Sequence, residues 1–491
     1  MKKKSYTVCL FFVILFVPFL WGCEGGGNLV DTVTAIRAKT RPELAVQATE
    51  VMETSKEQKG EEREQEVPVL EKKPPKPIEA MDDAYQVILA NCTSEFIGYY
   101  PVDEAFLGWL NGEYGDECIL SLAEEVCEKK PDVDIWYDLT GSSIHVLWPV
   151  YCSQTGFSQY GGENVEWKVC ASMSEITLEF TGDVNFAEGY VTTKHMDKCP
   201  GGIYDCFSPE LLEEMNSADI MMVNNEFTYS KRGTAIQGKA YTFRADPSRV
   251  ENMKVFGTDI VNLANNHVYD YGPEALLDTI DTLDKAGIPH VGAGANIKEA
   301  SKPYYFVCNG RKIAFVSATQ IERSYNYTKE ATETTPGVLK SLDPSKFVEV
   351  IKEAKKSSDY VIVNIHWGTE GDSNFGRDQK NLAVAFARAG ADVIIGGHTH
   401  CLQGFDFVEG VPVIYSLGNF WFSSSTQDTG LAKVTISETG ELTLGFIPCI
   451  QQGTTTSLVT DDAQRQRILD FMQKHSGTGV VVNPDGTISQ G

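Results

Sequence analysis

The sequence predicts an α/β fold, a sheet core flanked by helices, over residues 174–452 of a 491-residue chain. Two observations predict it. From Ile176 onward, short β-rich runs alternate with amphipathic helical stretches, the pattern of a sheet covered by helices on both faces. The polar residues with chemistry to offer recur at one place, directly after a strand-like run. That is where ligands gather in such folds.

The strand-like runs are 176–180, 219–223, 259–263, 312–316, 360–365, 392–395 and 413–416. Helices are expected at 209–216, 273–286, 344–356 and 378–389. Pro273 suits a first helical turn, and Gly287 and Gly390 stand where a left-handed C-cap is wanted. A C-terminal region, 453–491, holds a further helix (461–474) and a Gly-rich tail.

The N-terminal third reads differently. Lys2, Lys3 and Lys4 precede an almost wholly apolar run, 8–21, too short for an ordinary membrane-spanning helix. The order Leu20-Trp21-Gly22-Cys23 resembles a bacterial lipobox. Residues 1–23 are therefore expected to be a signal peptide or lipoprotein signal that leaves a lipid on Cys23, the alternative being an uncleaved anchor. Either way the body is exported to the outer face of the cytoplasmic membrane and held through its N-terminus only. Residues 24–80 carry charge runs and a Lys/Pro cluster and read as a disordered tether. Residues 81–173, rich in cysteine and tryptophan, are expected to form a small α+β accessory region, with a helix at 116–129 and a strand at 142–150.

The formal charge of −26 argues against a nucleic-acid partner, which needs a basic footprint. It leaves room for a local basic pocket and an acidic substrate. Of 12 cysteines, ten lie beyond Cys23. An exported address permits disulfides, and Cys199 and Cys206 are close enough to close a short loop. No CxxC pair occurs, which argues against a zinc–thiolate site.

Six polar clusters follow the strand-like runs: 181–185 with Asp183 and Asn185; Asn224-Asn225-Glu226; Asn265-Asn266-His267; 366–370 with His366 and Glu370; 396–400 with His398 and His400; and Gly418-Asn419. Four of the eight histidines fall in them. Residues at i and i+2 of extended chain point the same way, so His398 and His400 can address one centre, as can Asp183 and Asn185. Mixed carboxylate, amide and imidazole donors suit Mn, Fe or Zn, as one or two ions. A lone Gly-Asp is usually a turn and a lone strand-end histidine usually structural, but a set in this order points to a divalent-metal centre. His145, His195, His290 and His475 stand outside the clusters and read as structural.

The motifs Phe180-Thr-Gly-Asp183, Asn224-Asn-Glu226, Asn262-Leu-Ala-Asn-Asn-His267 with Asp270-Tyr-Gly272, His366-Trp-Gly-Thr-Glu370, Gly396-Gly-His-Thr-His400 and Tyr415-Ser-Leu-Gly-Asn-Phe420 together resemble the CapA-type capsule or poly-γ-glutamate synthesis proteins. These belong to the calcineurin-like metallophosphoesterase superfamily. The resemblance implies that fold, with Asp183, Glu226 and His400 on one metal and Glu226, Asn266, His366 and His398 on the other. Glu226 would bridge and His267 would act as general acid. Glu370, Asn224 and Asn419 are candidates for substrate contact or for ordering the ligands. Superfamily phosphatases usually carry His where Asn185 stands and Asp where Glu226 stands. The implied function is biosynthesis or export of an anionic surface polymer with a metal-dependent hydrolase site. The alternative is a non-catalytic, metal-stabilised polymer-binding or assembly component. The implied partners are the polymer or a phosphorylated small substrate, and a membrane-bound capsule synthase.

Overall fold

The structure, a computed structural model, describes residues 81–92, 97, 99–128, 135–155 and 164–491. The expected signal, Cys23 and the tether lie outside the described residues. Among those described, no helix is long and apolar enough to cross a membrane.

In chain order the principal strands are β1 (Val165–Lys168), β2 (Glu175–Val184), β3 (Ile220–Asn225), β4 (Ile260–Asn262), β5 (His290–Val291), β6 (Tyr304–Cys308), β7 (Arg311–Thr319), β8 (Tyr360–His366), β9 (Val393–Gly397), β10 (Leu402–Val408), β11 (Val411–Leu417), β12 (Asn419–Trp421), β13 (Gln427–Ser437), β14 (Leu442–Gln452) and β15 (Thr455–Leu458). They form two sheets where the sequence reading places one. A seven-stranded sheet has the order β1-β6-β7-β8-β9-β11-β10. An eight-stranded sheet has the order β15-β14-β13-β2-β3-β4-β5, with β12 paired to β2. The crossovers β2–β3, β3–β4, β7–β8 and β8–β9 are parallel, so these strands end on the same side of their sheet.

Alternation along the strands sets the layers. Ile220 and Met222 in β3 and Ile313, Phe315, Ile362 and Ile395 in the other sheet share one core between the sheets. The opposite-facing Met221 and Val223 pack with Leu211, Leu276 and Leu283 of helices Pro209–Ser217 and Pro273–Ala286. Ala314, Val361 and Val363 pack with Phe347, Ile351 and Phe386 of helices Ser345–Lys356 and Arg377–Ala389. Both faces of each strand are thus apolar, which is why these runs lack clean polar alternation.

The accessory region departs from expectation. Residues 142–150 do not form a strand: Ile144–Thr155 is a helix, with Pro149 inside it. A short apolar run rich in β-branched and aromatic residues does not distinguish a strand from a buried helix. Helices Met81–Asn91, Glu104–Tyr114, Asp116–Glu128 and Ile135–Thr140 pack with it around Phe106, Trp136 and Trp148. The region's β-structure is β1, which extends the edge of the seven-stranded sheet by pairing with β6.

Candidate metal centre

The inward-facing registers that are apolar deep in the sheets turn polar at the strand ends. Ile220 and Met222 are followed by Asn224 and then Glu226; Ile362 is followed by Asn364 and His366. The same parity that fills the core therefore delivers the site, and both sheets contribute. Asp183, Glu226, Asn266 and His267 come from the eight-stranded sheet, and His366, His398 and His400 from the seven-stranded one. The centre lies where two sheets meet, not on one sheet's edge.

Two groups of side chains bring their ligating atoms within 4.8 Å of one another: Asp183, Glu226 and His400, and Glu226, His366 and His398. Glu226 belongs to both. His366 Nε2 lies 2.8 Å from Asn266 Oδ1, 3.1 Å from His398 Nδ1 and 3.5 Å from Glu226 Oε1. His400 Nδ1 lies 3.1 Å from Asp183 Oδ2 and 2.8 Å from Asn419 Oδ1.

The two histidines of the 396–400 cluster do not reach the centre by extended alternation. His398 and His400 have φ of 96° and 56°, the left-handed region that costs non-glycine residues on the order of 1–3 kcal/mol each. A turn, not a strand, aims both imidazoles.

Electrostatics fit a cation. Burial, reinforced by Asp183, raises the Glu226 carboxyl well above its usual range. Asp183 is pushed up by burial too, but the close His400 imidazole and the other nearby imidazoles bring it below its usual value. His400 is raised by Asp183 against the opposing effect of burial. Burial lowers His366 to about 3 and His398 well below its ordinary value, which keeps both neutral and able to ligate. Asp183 Oδ2 and Glu226 Oε1 are buried and make no hydrogen bond, a costly state for carboxylate oxygens unless a cation meets them. The residues present therefore fit a divalent ion.

The other expected residues fall out unequally. Asn224 is a hub: its amide donates to Asp183 Oδ1 at 2.7 Å and Glu226 Oε2 at 3.2 Å, and its oxygen accepts from Asn262 and Asn265. Asn419 orients His400. Glu370 is largely exposed and sits 4.0 Å from His398 Nε2, at the rim. Asn185 is buried, but its Oδ1 accepts the Ala187 N–H at 2.7 Å. That bond shapes the loop that follows Asp183.

Sequence reasoning passed over several residues. His267 Nδ1 is 2.7 Å from Asp270 Oδ2, and Lys239 bonds Asp270 Oδ1 at 2.6 Å, the Asn266 carbonyl and Glu322. Asp270 lies in a quoted motif, but Lys239 is one lysine in a Gly-rich loop without a signal of its own. Arg323 reaches the Gly368 carbonyl and lies near enough to His398 to help hold it neutral. Phe243 lies against His267 and Phe422 against His400, with ring centroids 4.5 and 4.9 Å apart. A cleft of ≈ 390 Å³ lined by Tyr190, Tyr241, Phe243, Arg244 and Tyr271 opens beside this wall.

Residues 177–424 match the family described as bacterial capsule synthesis protein PGA_cap. The chain is 34% identical over 244 residues to the capsule biosynthesis protein CapA of Bacillus anthracis, covering 48% of this chain and 58% of that one. It is 30% identical over 308 residues to the PGA biosynthesis protein CapA of Bacillus subtilis (strain 168), covering 61% and 78%. Among solved structures, a phosphatase of Mycoplasma pneumoniae overlaps 57% of this chain and 96% of its own, at 15% identity and a TM-score of 0.37.

Proposed function

Because the chain belongs to the bacterial capsule synthesis protein PGA_cap family, we propose that it serves synthesis or export of an anionic, poly-γ-glutamate-type polymer through a metal-dependent phosphoesterase-type hydrolase centre. It would do so at the outer face of the cytoplasmic membrane, anchored at Cys23 and beside the membrane-bound synthase.

One observation carries the reading: Glu226 is common to two groups of converging donors, with its Oε1 buried and unbonded. Asp183, Glu226 and His400 would hold one cation, and Glu226, Asn266, His366 and His398 the other, with manganese, iron or zinc suited to the donors. A cation there supplies Lewis-acid polarisation of a phosphoryl oxygen and an acidified water. The protein's own part is to position and to move protons. Asp270 fixes His267 Nδ1, leaving Nε2 to protonate a leaving oxygen. Lys239 holds Asp270 in place, and Phe243 and Phe422 pack against the His267 and His400 rings.

The test is hydrolysis of a generic phosphodiester and monoester by the Mn²⁺-loaded full chain, compared with its His267→Ala form. Turnover by the first and loss in the second supports the reading; equal inertness of both across a broad panel removes the hydrolase. A second reading is favoured by the departure at Asn185, which stands where superfamily phosphatases usually carry the better-ligating His. On it the cation is structural and the domain binds polymer without turnover. Polymer binding that survives Glu226→Gln would support that reading.

A further inference from the structure

Away from the centre just described, a third group of donors converges. His195 lies in the last turn of the helix Val191–Met196, Cys199 follows it by a turn, and Cys206 closes the short helix Gly202–Cys206. His195 Nε2 is 3.4 Å from Cys199 Sγ, and the ligating atoms of all three residues lie within 4.8 Å of one another. Cys199 and Cys206 are both free thiols, and the Cys206 thiol donates to the Gly202 carbonyl at 3.7 Å.

We propose that His195, Cys199 and Cys206 bind a zinc-class cation, separate from the Glu226 centre. Two sulfurs and one imidazole are soft-to-borderline donors that select zinc, in contrast to the oxygen-rich set around Glu226. A tetrahedral zinc ion, with bonds of about 2.3 Å to sulfur and 2.0–2.1 Å to nitrogen, spaces such atoms roughly 3.5–3.8 Å apart. The observed His195–Cys199 distance already approaches that spacing. The sequence pattern, His-x3-Cys-x6-Cys, lacks any CxxC, so spacing alone does not reveal it.

A disulfide would use the sulfurs and leave the imidazole at the same point with no role. The loop the three donors would staple rests on the core: Met196, Ile203, Cys206 and Phe207 pack with Phe186 and Trp421. Thr192 Oγ1 donates to the Asn185 carbonyl at 3.1 Å. The ion would therefore brace the segment that leaves Asp183.

The experiment uses the reduced full chain with Co²⁺ and Zn²⁺ as probes. Thiolate-to-cobalt charge-transfer absorption is expected in the parent chain and in Glu226→Gln, and is displaced by Zn²⁺. It should vanish in Cys199→Ser and Cys206→Ser, and His195→Ala should weaken cobalt binding by about tenfold or more. Should buried Cys206→Ser fail to fold, the half-buried Cys199 and His195 variants carry the test. Absence of the band in the parent, or its persistence in Cys199→Ser, would overturn the proposal. So would a Cys199–Cys206 disulfide in protein isolated without reductant.

Discussion

His267 and Asp270, three residues apart, are both buried, and their facing atoms, Nδ1 and Oδ2, are 2.7 Å apart. The carboxylate fixes which imidazole nitrogen is turned to the centre, and Lys239 in turn fixes the carboxylate. Asp270→Asn is expected to lower phosphoester turnover by about 10²–10⁴-fold, the range of a lost proton-transfer group. Metal content should stay unchanged, since Asp270 is in neither donor group. Parallel kinetics and elemental analysis check this; loss of metal together with activity would make Asp270 a ligand-ordering residue instead.

Glu226→Gln replaces the carboxylate common to both groups with a neutral amide. Elemental analysis of protein prepared without chelator should show both equivalents at the Glu226 centre reduced. His398→Ala should empty one site and spare most of the other. A Gln variant with full metal content would rule out the bridging role.

A buried carboxyl gives a pH prediction. Glu179 points from β2 to the helix-covered side, near Lys433 (3.3 Å), Glu214 and Cys449. Burial, only partly offset by Lys433, pushes it up to about 8. Between the ordinary glutamate value of about 4.3 and 8, the folded chain keeps a proton that the unfolded chain releases. Stability contributed here therefore falls as pH rises through that window. Glu179→Gln should flatten the decline, gaining at most a few kcal/mol over the parent near pH 8. Thermal unfolding of both forms between pH 5 and 8.5 reads it; parallel curves would contradict it.

Gly182 marks a close approach. A Cβ there would stand 2.0 Å from the Gly418 carbonyl oxygen, in the seam where Asp183 N–H bonds that same oxygen. Gly182→Ala should cost several kcal/mol, beyond the usual 1–3 kcal/mol of overpacking, because the obstacle is backbone. The urea midpoint and soluble yield measure it, and a near-neutral result would mean that the seam can open.

Much of this was legible in sequence because period and chemistry agree. Helix Pro273–Ala286 falls on the expected residues, with Pro273 and Gly287 at its ends. The strands Ile220–Asn225 and Tyr360–His366 begin and end within two residues of expectation. Asp183, Glu226, Asn266, His366, His398 and His400 do converge. What was not legible depends on tertiary packing. Strand runs do not say whether they join one sheet or two. Residues 142–150 look the same to a periodicity argument as strand or buried helix. Asn185 shares the parity of a ligand, and only its bond to Ala187 reveals a turn. Lys239 and Arg323 gain meaning from which loop lies over which.

The strand β1 has a consequence for how the chain can be divided. By pairing Val165–Lys168 with Tyr305–Cys308, the N-terminal helices are sewn into the two-sheet body rather than hung beside it. Trimming the chain to the family-matched stretch would bare a row of unpaired amides along Tyr304–Cys308, an invitation to intermolecular strand pairing. The practical cut point lies before Met81, and the helices and sheets on its far side are expected to melt together.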